Sequence, residues 1–374
     1  MRSARRLGHD QVSETIESIR AVQLGDGMIP WFAGGHADPW NHTEAAMALG
    51  VGGALCESER AFAWLAATQR PDGAWHTYYL GGKKVEEPRL DTNVCAYVAT
   101  GAWHHFLLTA DLGFLEELWP VIERAVEFVL AWQQPGGELV WSVDPDGTPG
   151  RYGLLTGSSS AYFSLRCALA CALELGHERP DWELAAAGLR RAVAHGSDGF
   201  ARKDEFAMDW YYPVLVGALD HGTAQARIDE GWSRFVIEGR GVRCVSDKEW
   251  VTAAETAECA MALASIGRRE QASALLEWAG RHRCPDGSYL TGLVYPDQSS
   301  FPRGERSSYT AAAMVLAEDA LSQLTPAAQL FVAGSLPRGL DLASSGPLTR
   351  LSTRRLPTPA ASSSTNSPEL RARL

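Results

Sequence analysis

The strongest constraint on how this chain can fold is a turn that recurs six times. Its clearest form is Gln69-Arg70-Pro71-Asp72-Gly73-Ala74-Trp75, and Gln133-Gln134-Pro135-Gly136-Gly137 leads in the same way to Trp141. Gln23-Leu24-Gly25-Asp26-Gly27 leads to Trp31, and Arg283-Cys284-Pro285-Asp286-Gly287-Ser288-Tyr289 repeats the pattern. Fainter copies are His195-Gly196-Ser197-Asp198-Gly199-Phe200 and Glu238-Gly239-Arg240-Gly241. The glycines at 27, 73, 137, 199, 241 and 287 lie 42 to 64 residues apart, the span of a helical pair.

The segments upstream of these turns, such as 57–69, 115–133, 182–195 and 269–283, mix charged and apolar residues at three-and-four spacing. That is the pattern of a helix with one wet face. Gly ends each because it accepts the left-handed backbone of a helix terminus. The segments downstream, 44–49, 92–108, 161–175, 211–219, 251–266 and 309–321, are rich in Ala and apolar nearly all round, which fits helices buried on every side. Six wet-faced helices alternating with six buried ones predict an all-α (α/α)6 toroid, six helical hairpins forming an inner and an outer ring. Length permits one large domain or two ordinary ones. The repeats favour a single toroid over residues 1–340, with a Ser-, Pro- and Arg-rich tail at 341–374 that lacks the apolar residues to order itself.

Charge excludes some functions. Lys plus Arg total 34 against 45 Asp plus Glu, a net charge of -11, the wrong sign for a nucleic-acid binder that must displace phosphate counterions. No apolar run approaches the roughly 18–20 residues of a membrane span. The start is basic, but Gly8-His9-Asp10-Gln11 stands where a signal peptide would carry its apolar stretch, so a cytoplasmic location is expected. Seven cysteines, an odd number without a Cys-x-x-Cys pair, fit reduced thiols. Neither a metal nor a cofactor is expected.

In such a toroid the inner helices start at one mouth, where the loops after each turn converge. These loops are rich in Trp, Tyr and carboxylates. The candidates for contacting a small-molecule substrate are Trp40, His42 and Glu44; Trp75, Asp91 and Asn93; Trp141; Trp210 and Tyr211; Trp250; and Arg306 and Tyr309. Candidate catalytic carboxylates are Glu138, Asp144, Asp209, Glu255 and Glu305. Asp91, Asp209 and Glu44 lie near helix starts, where a carboxylate also serves as a cap. Glu255 sits one turn into an apolar helix, so it needs a partner, for which Arg243 and Arg306 are available. His42 could equally satisfy a backbone carbonyl, and 158–160 reads as a helix cap. Aromatic platforms with a few carboxylates suit sugar rings, and they suit carbocations as well.

Two resemblances follow from these residues. The turns at Gln69–Trp75 and at 133–141 resemble the Gln…Gly-x-Trp motif of terpenoid cyclases and protein prenyltransferases, over about residues 10–325. The cyclase Asp-x-Asp-Asp motif is absent, Asp144-Pro145-Asp146 coming nearest, and so is the Asp-x-Cys pair with which prenyltransferases hold zinc. The stretch Thr109-Ala110-Asp111-Leu112-Gly113-Phe114-Leu115 to Trp119-Pro120-Val121-Ile122, running into Ala125-Val126-Glu127-Phe128-Val129, resembles glucoamylase-type six-hairpin glycosidases. By position, that likeness implies Glu138 or Asp144 as general acid and Glu305 as base, although the family's Trp-Glu doublet at the acid position is missing. The sequence therefore favours glycoside processing by paired carboxylates, with Asp209, Glu44, Asp91 and Glu255 orienting the sugar or sharing the work. The alternatives are a cyclase-like enzyme acting on an isoprenoid and an inert toroid that binds saccharide or lipid.

Overall fold

The computed structural model describes residues 9–332 and 336; the expected tail, and the end of the expected domain, fall outside them. Within those residues the chain forms six helical hairpins in succession. The outer α1 (His9–Arg20) leads to the inner α2 (Pro39–Val51), and α3 (Leu55–Thr68) leads to α4 (Thr92–Ala96) and α5 (Val98–Thr109), one inner helix broken at Tyr97. Then α6 (Leu112–Leu130) precedes α7 (Leu155–Glu174), and α8 (Pro180–His195) precedes α9 (Ala207–Leu215). The last two hairpins pair α10 (His221–Phe235) with α11 (Ala253–Ser265) and α12 (Arg269–Ala279) with α13 (Ser308–Ser322). Each inner helix touches the next, and α13 packs back on α2, so the ring closes. This is the expected (α/α)6 toroid.

The repeated turn is a staple between neighbouring outer helices. Gln23, Gln69 and Gln133 each donate from Nε2 to the glycine carbonyl of their own turn and to a carbonyl of the next outer helix, that of Glu57, Val121 and Ala185. The glycines must be bare to allow that approach. A Cβ on Gly27, Gly73, Gly137 or Gly287 would stand 2.1 to 2.4 Å from the backbone carbonyl oxygen of Arg60, Arg124, Gly188 or Glu14. The turn at Gly287 thus reaches back to α1 and shuts the outer ring, with Arg283 bonded to Glu14 in place of the glutamine. The two faint copies differ: Gly199 abuts the Glu138 carboxylate and Gly241 abuts Thr256. Gly73→Ala should cost at least about 2 kcal/mol, from its φ of +89° and the clash with Arg124. Gly53→Ala, also left-handed but facing open space, should cost about 1 kcal/mol or less; denaturant midpoints of the two variants compare them.

Inner-helix starts are shifted from expectation. α7 begins at Leu155, so 158–160 lies inside the helix, and Ser158 Oγ accepts from the Leu139 amide. The loops at the mouth are also more ordered than a helical reading suggests. β1 (His76–Leu80), β2 (Lys84–Asp91) and β3 (Ser142–Val143) form an antiparallel sheet joining the second and third hairpins. The small ribbon of β4 (Val236–Ile237) and β5 (Gly241–Val242) follows α10. β6 (Trp250–Thr252), β7 (Gly292–Val294) and β8 (Ser299–Ser300) join the fifth and sixth hairpins. In the order of the ring, the two three-stranded sheets stand on opposite sides of the mouth.

Candidate active site

Each sheet delivers one carboxylate to the start of an inner helix. Asp91 ends β2, its backbone paired with Ser142, and caps α4: Oδ1 accepts from the amides of Asn93 and Val94 at 2.9 and 3.2 Å. Oδ2 has no hydrogen bond among the described residues. Removal from water, with Asp38 close by, outweighs these bonds and raises the Asp91 carboxyl to about 7. Glu255 lies in the first turn of α11, which β6 enters directly. It is half-buried, and the expected cation partners are engaged elsewhere. Arg243 pairs with Glu249 at 3.0 Å and Arg306 with Asp286 at 2.7 Å. The second and fifth inner helices are three places apart in a ring of six, so Asp91 and Glu255 stand at the starts of opposite inner helices.

Aromatic side chains surround this pair. Trp31 meets Tyr309 edge to face at 5.0 Å and Tyr78 at 5.8 Å, and its Nε1 donates to the buried Asp38 at 2.7 Å. Asp38 caps α2 and also accepts from the Asn41 side chain. Trp141, whose carbonyl accepts from the Thr92 amide, stacks on Tyr152 with the Arg89 guanidinium 5.0 Å above its ring. Trp250 donates to the Phe301 carbonyl. The Asn93 Oδ1 is buried without a partner. Glu305 accepts from Thr291 Oγ1 at 2.9 Å, and Tyr309, next to both, is held above its ordinary pKa by burial. Asp209 accepts from the amide and hydroxyl of Thr156, tying α9 to α7, and burial raises it too.

Deeper in the ring a second acid group fills the axis. Trp40 Nε1 donates to Glu44 at 2.8 Å, while Tyr211 and Tyr212 donate to Glu258. Burial raises both carboxyls, Glu44 to about 7 with Asp38 adding repulsion, and Glu258 well above its ordinary value with Glu44 adding repulsion. The folded chain therefore binds a proton at Glu44 that the unfolded chain has released between pH 4.5 and about 7. Stability falls as pH rises through that window, and Glu44→Gln should flatten the fall; thermal midpoints at pH 5 and pH 8 measure it.

Several candidates do not reach the mouth. Trp75 is fully buried and donates to the Leu65 carbonyl, behind the inner ring. His42 accepts from the Ile29 amide at Nδ1 and donates from Nε2 to the Ala61 carbonyl; burial holds it at about 4, a neutral structural ring. Trp210 faces outward, stacked on Phe235 against Gly231 of α10. Glu138 is wedged between Gly136 and Gly199 and accepts from Ser197, while Asp144 projects into solvent at a turn beyond β3. Glu138 and Asp144 are thus not brought beside Glu305, because the third loop folds away as a sheet edge and its turn. Sequence reasoning missed Asp38, whose signal is an Asp-Pro pair at a helix start, and Glu258, a lone charge one turn below Glu255 on an Ala-rich helix.

No protein-family profile matches the chain. An MMP endo-(1,4)-3-O-methyl-α-D-mannosidase from Mycolicibacterium hassiacum is 48% identical over 337 residues, covering 90% of this chain and 92% of that protein. A solved wild-type glycosidase superposes with a TM-score of 0.68 at 15% identity, over 85% of this chain and 97% of its own. A D-mannose isomerase superposes with a TM-score of 0.65 at 11% identity, over 83% and 96%. These structures share the fold, which accords with the glycosidase-like toroid; they say nothing of a cyclase.

Proposed function

The chain belongs to the family of the Mycolicibacterium hassiacum MMP endo-(1,4)-3-O-methyl-α-D-mannosidase, and from that premise we propose that it hydrolyses internal α-(1→4) bonds in a chain of 3-O-methyl-D-mannose. The observation that carries the chemistry is the opposed pair, Asp91 and Glu255, each fixed where a strand enters an inner helix. Adjacent packed helices lie about 8–10 Å apart, so opposite members of a ring of six stand about 18 Å apart. Side chains reach about 5–6 Å from each axis, leaving on the order of 7 Å between the carboxyls. That is the separation at which a water fits beside the sugar and hydrolysis inverts configuration.

In this reading Asp91 is the general acid. Its carboxyl holds a proton near neutrality and gives it from Oδ2 to the leaving glycosidic oxygen. Glu255 takes a proton from water, whose oxygen bonds to the anomeric carbon as the glycosidic bond breaks. The faces of Trp31, Tyr309 and Trp141 flank the positive charge that develops on the ring. Glu305, bonded to Thr291, becomes a positioning residue rather than the base its place in the sequence implies. Asp209 keeps the third and fourth inner helices in register. An isoprenoid diphosphate fits less well, because the carboxylates of Asp38, Glu255 and Glu305 would repel it.

A thermal-shift panel tests the substrate class. A methylated mannose oligosaccharide at about 100 times its dissociation constant should add about 2.7 kcal/mol, while polyprenyl diphosphates and squalene should add nothing. Stabilisation by an isoprenoid alone would overturn the reading.

A further inference from the structure

The seam between the first and sixth hairpins holds a groove at the mouth end of the ring. It encloses about 780 Å³, within the roughly 300–1,000 Å³ of ligand sites. One wall is the C-terminal half of α1 with Val22, and the other is the loop entering α13, with Pro302, Arg303, Glu305 and Arg306; Phe32 reaches in from the first loop. A single strip separates groove from mouth. Along it the Ser308 amide donates to the Trp31 carbonyl at 2.6 Å, and Trp31 meets Tyr309.

We propose that this groove is a distal saccharide subsite, holding 3-O-methylmannose units of the same chain whose scissile bond lies in the mouth; the proposal rests on the function argued above. The first support is topological. The far end of the ring is filled: Phe331, just past the turn at Pro326–Leu330, stacks on Phe163 and lines the small space below Glu44 and Glu258. A polymer cannot thread the toroid, so a chain cut internally must leave sideways over the rim, where the seam opens.

The second support is chemical. O-Methylation replaces a hydroxyl donor with a methyl group and leaves an oxygen that only accepts. A matching surface therefore offers apolar patches beside donors. Val22, Phe32 and Pro302 supply the first. Arg303, which pairs with no carboxylate among the described residues, and Arg306, anchored by Asp286 at 2.7 Å, supply the second.

The test compares hydrolysis of a short and a long α-(1→4)-3-O-methylmannose oligosaccharide by the full chain. The variants are Phe32→Ala/Arg303→Ala, which strips the groove, and Ala33→Trp, which fills it from an exposed loop position. The ratio of kcat/KM for long over short substrate should fall at least about tenfold in both, through KM on the long chain. An unchanged ratio in variants that still cleave the short substrate overturns the groove and leaves the proposed function standing. If the unaltered protein neither binds nor cleaves either oligosaccharide, the function reading fails and the groove falls with it.

Discussion

Glu255→Gln should lower kcat by about 10²- to 10⁴-fold, the contribution of a general base, with little change in thermal stability. The substitution keeps the shape of the side chain and breaks no ion pair, since Arg243 and Arg306 are held by Glu249 and Asp286. Glu255 is half-buried in the first turn of α11 and has no ion pair among the described residues, the setting that the proposed role of taking a proton from water requires. KM should move little, because the lost interaction belongs to the transition state. Glu305→Gln is the contrasting variant. Losing one hydrogen bond from Thr291, it should retain turnover within about tenfold. The opposite ranking would return the role of base to Glu305.

Asp91→Asn should be nearly as severe, and it carries a signature in pH. Only the protonated acid can donate to the leaving oxygen. With the carboxyl raised to about 7, the protonated fraction, and with it kcat/KM of the unaltered protein, should decline tenfold per unit above that pH. The variant should lose about 10²- to 10⁴-fold near pH 6 and lose the alkaline limb as well. Asn caps a helix about as well as Asp, so the bonds to the Asn93 and Val94 amides persist and the fold should survive. An alkaline limb that remains in Asp91→Asn would assign it to another group.

What the sequence made legible was the scaffold. The turn at Gln69–Trp75 announces itself because its Gln and Gly are locked by backbone carbonyls of the next outer helix, a constraint that leaves few residue types free. The aromatic member is a mixed signal: Trp75 is buried and bonded to the Leu65 carbonyl, whereas Trp31 and Trp141 of the same repeat stand in the loops of the mouth. The site was half legible. Asp91 and Glu255 could be picked out as polar residues at the starts of apolar helices, but which candidate carboxylates reach the mouth depends on how each loop folds, which no local pattern encodes. Glu138 and Asp144 stood at the right place in the repeat and the wrong place in space, because strands β2 and β3 redirect the third loop. Trp210 and Tyr211 show the limit most plainly. Adjacent in sequence, one packs outward on Phe235 and the other inward on Glu258, as a helical turn of about 100° per residue requires.

The proposed reaction is an internal cut in a methylated mannose chain, made by carboxylates at the starts of opposite inner helices. It is tested most directly by following a defined α-(1→4)-3-O-methylmannose oligosaccharide by proton NMR with the unaltered protein, Glu255→Gln and Asp91→Asn. Internal cleavage is expected, with a newly formed reducing end that first appears as the β-anomer and loss of turnover in both variants. Cleavage that persists in both variants, or a chain left whole by the unaltered protein, would contradict it.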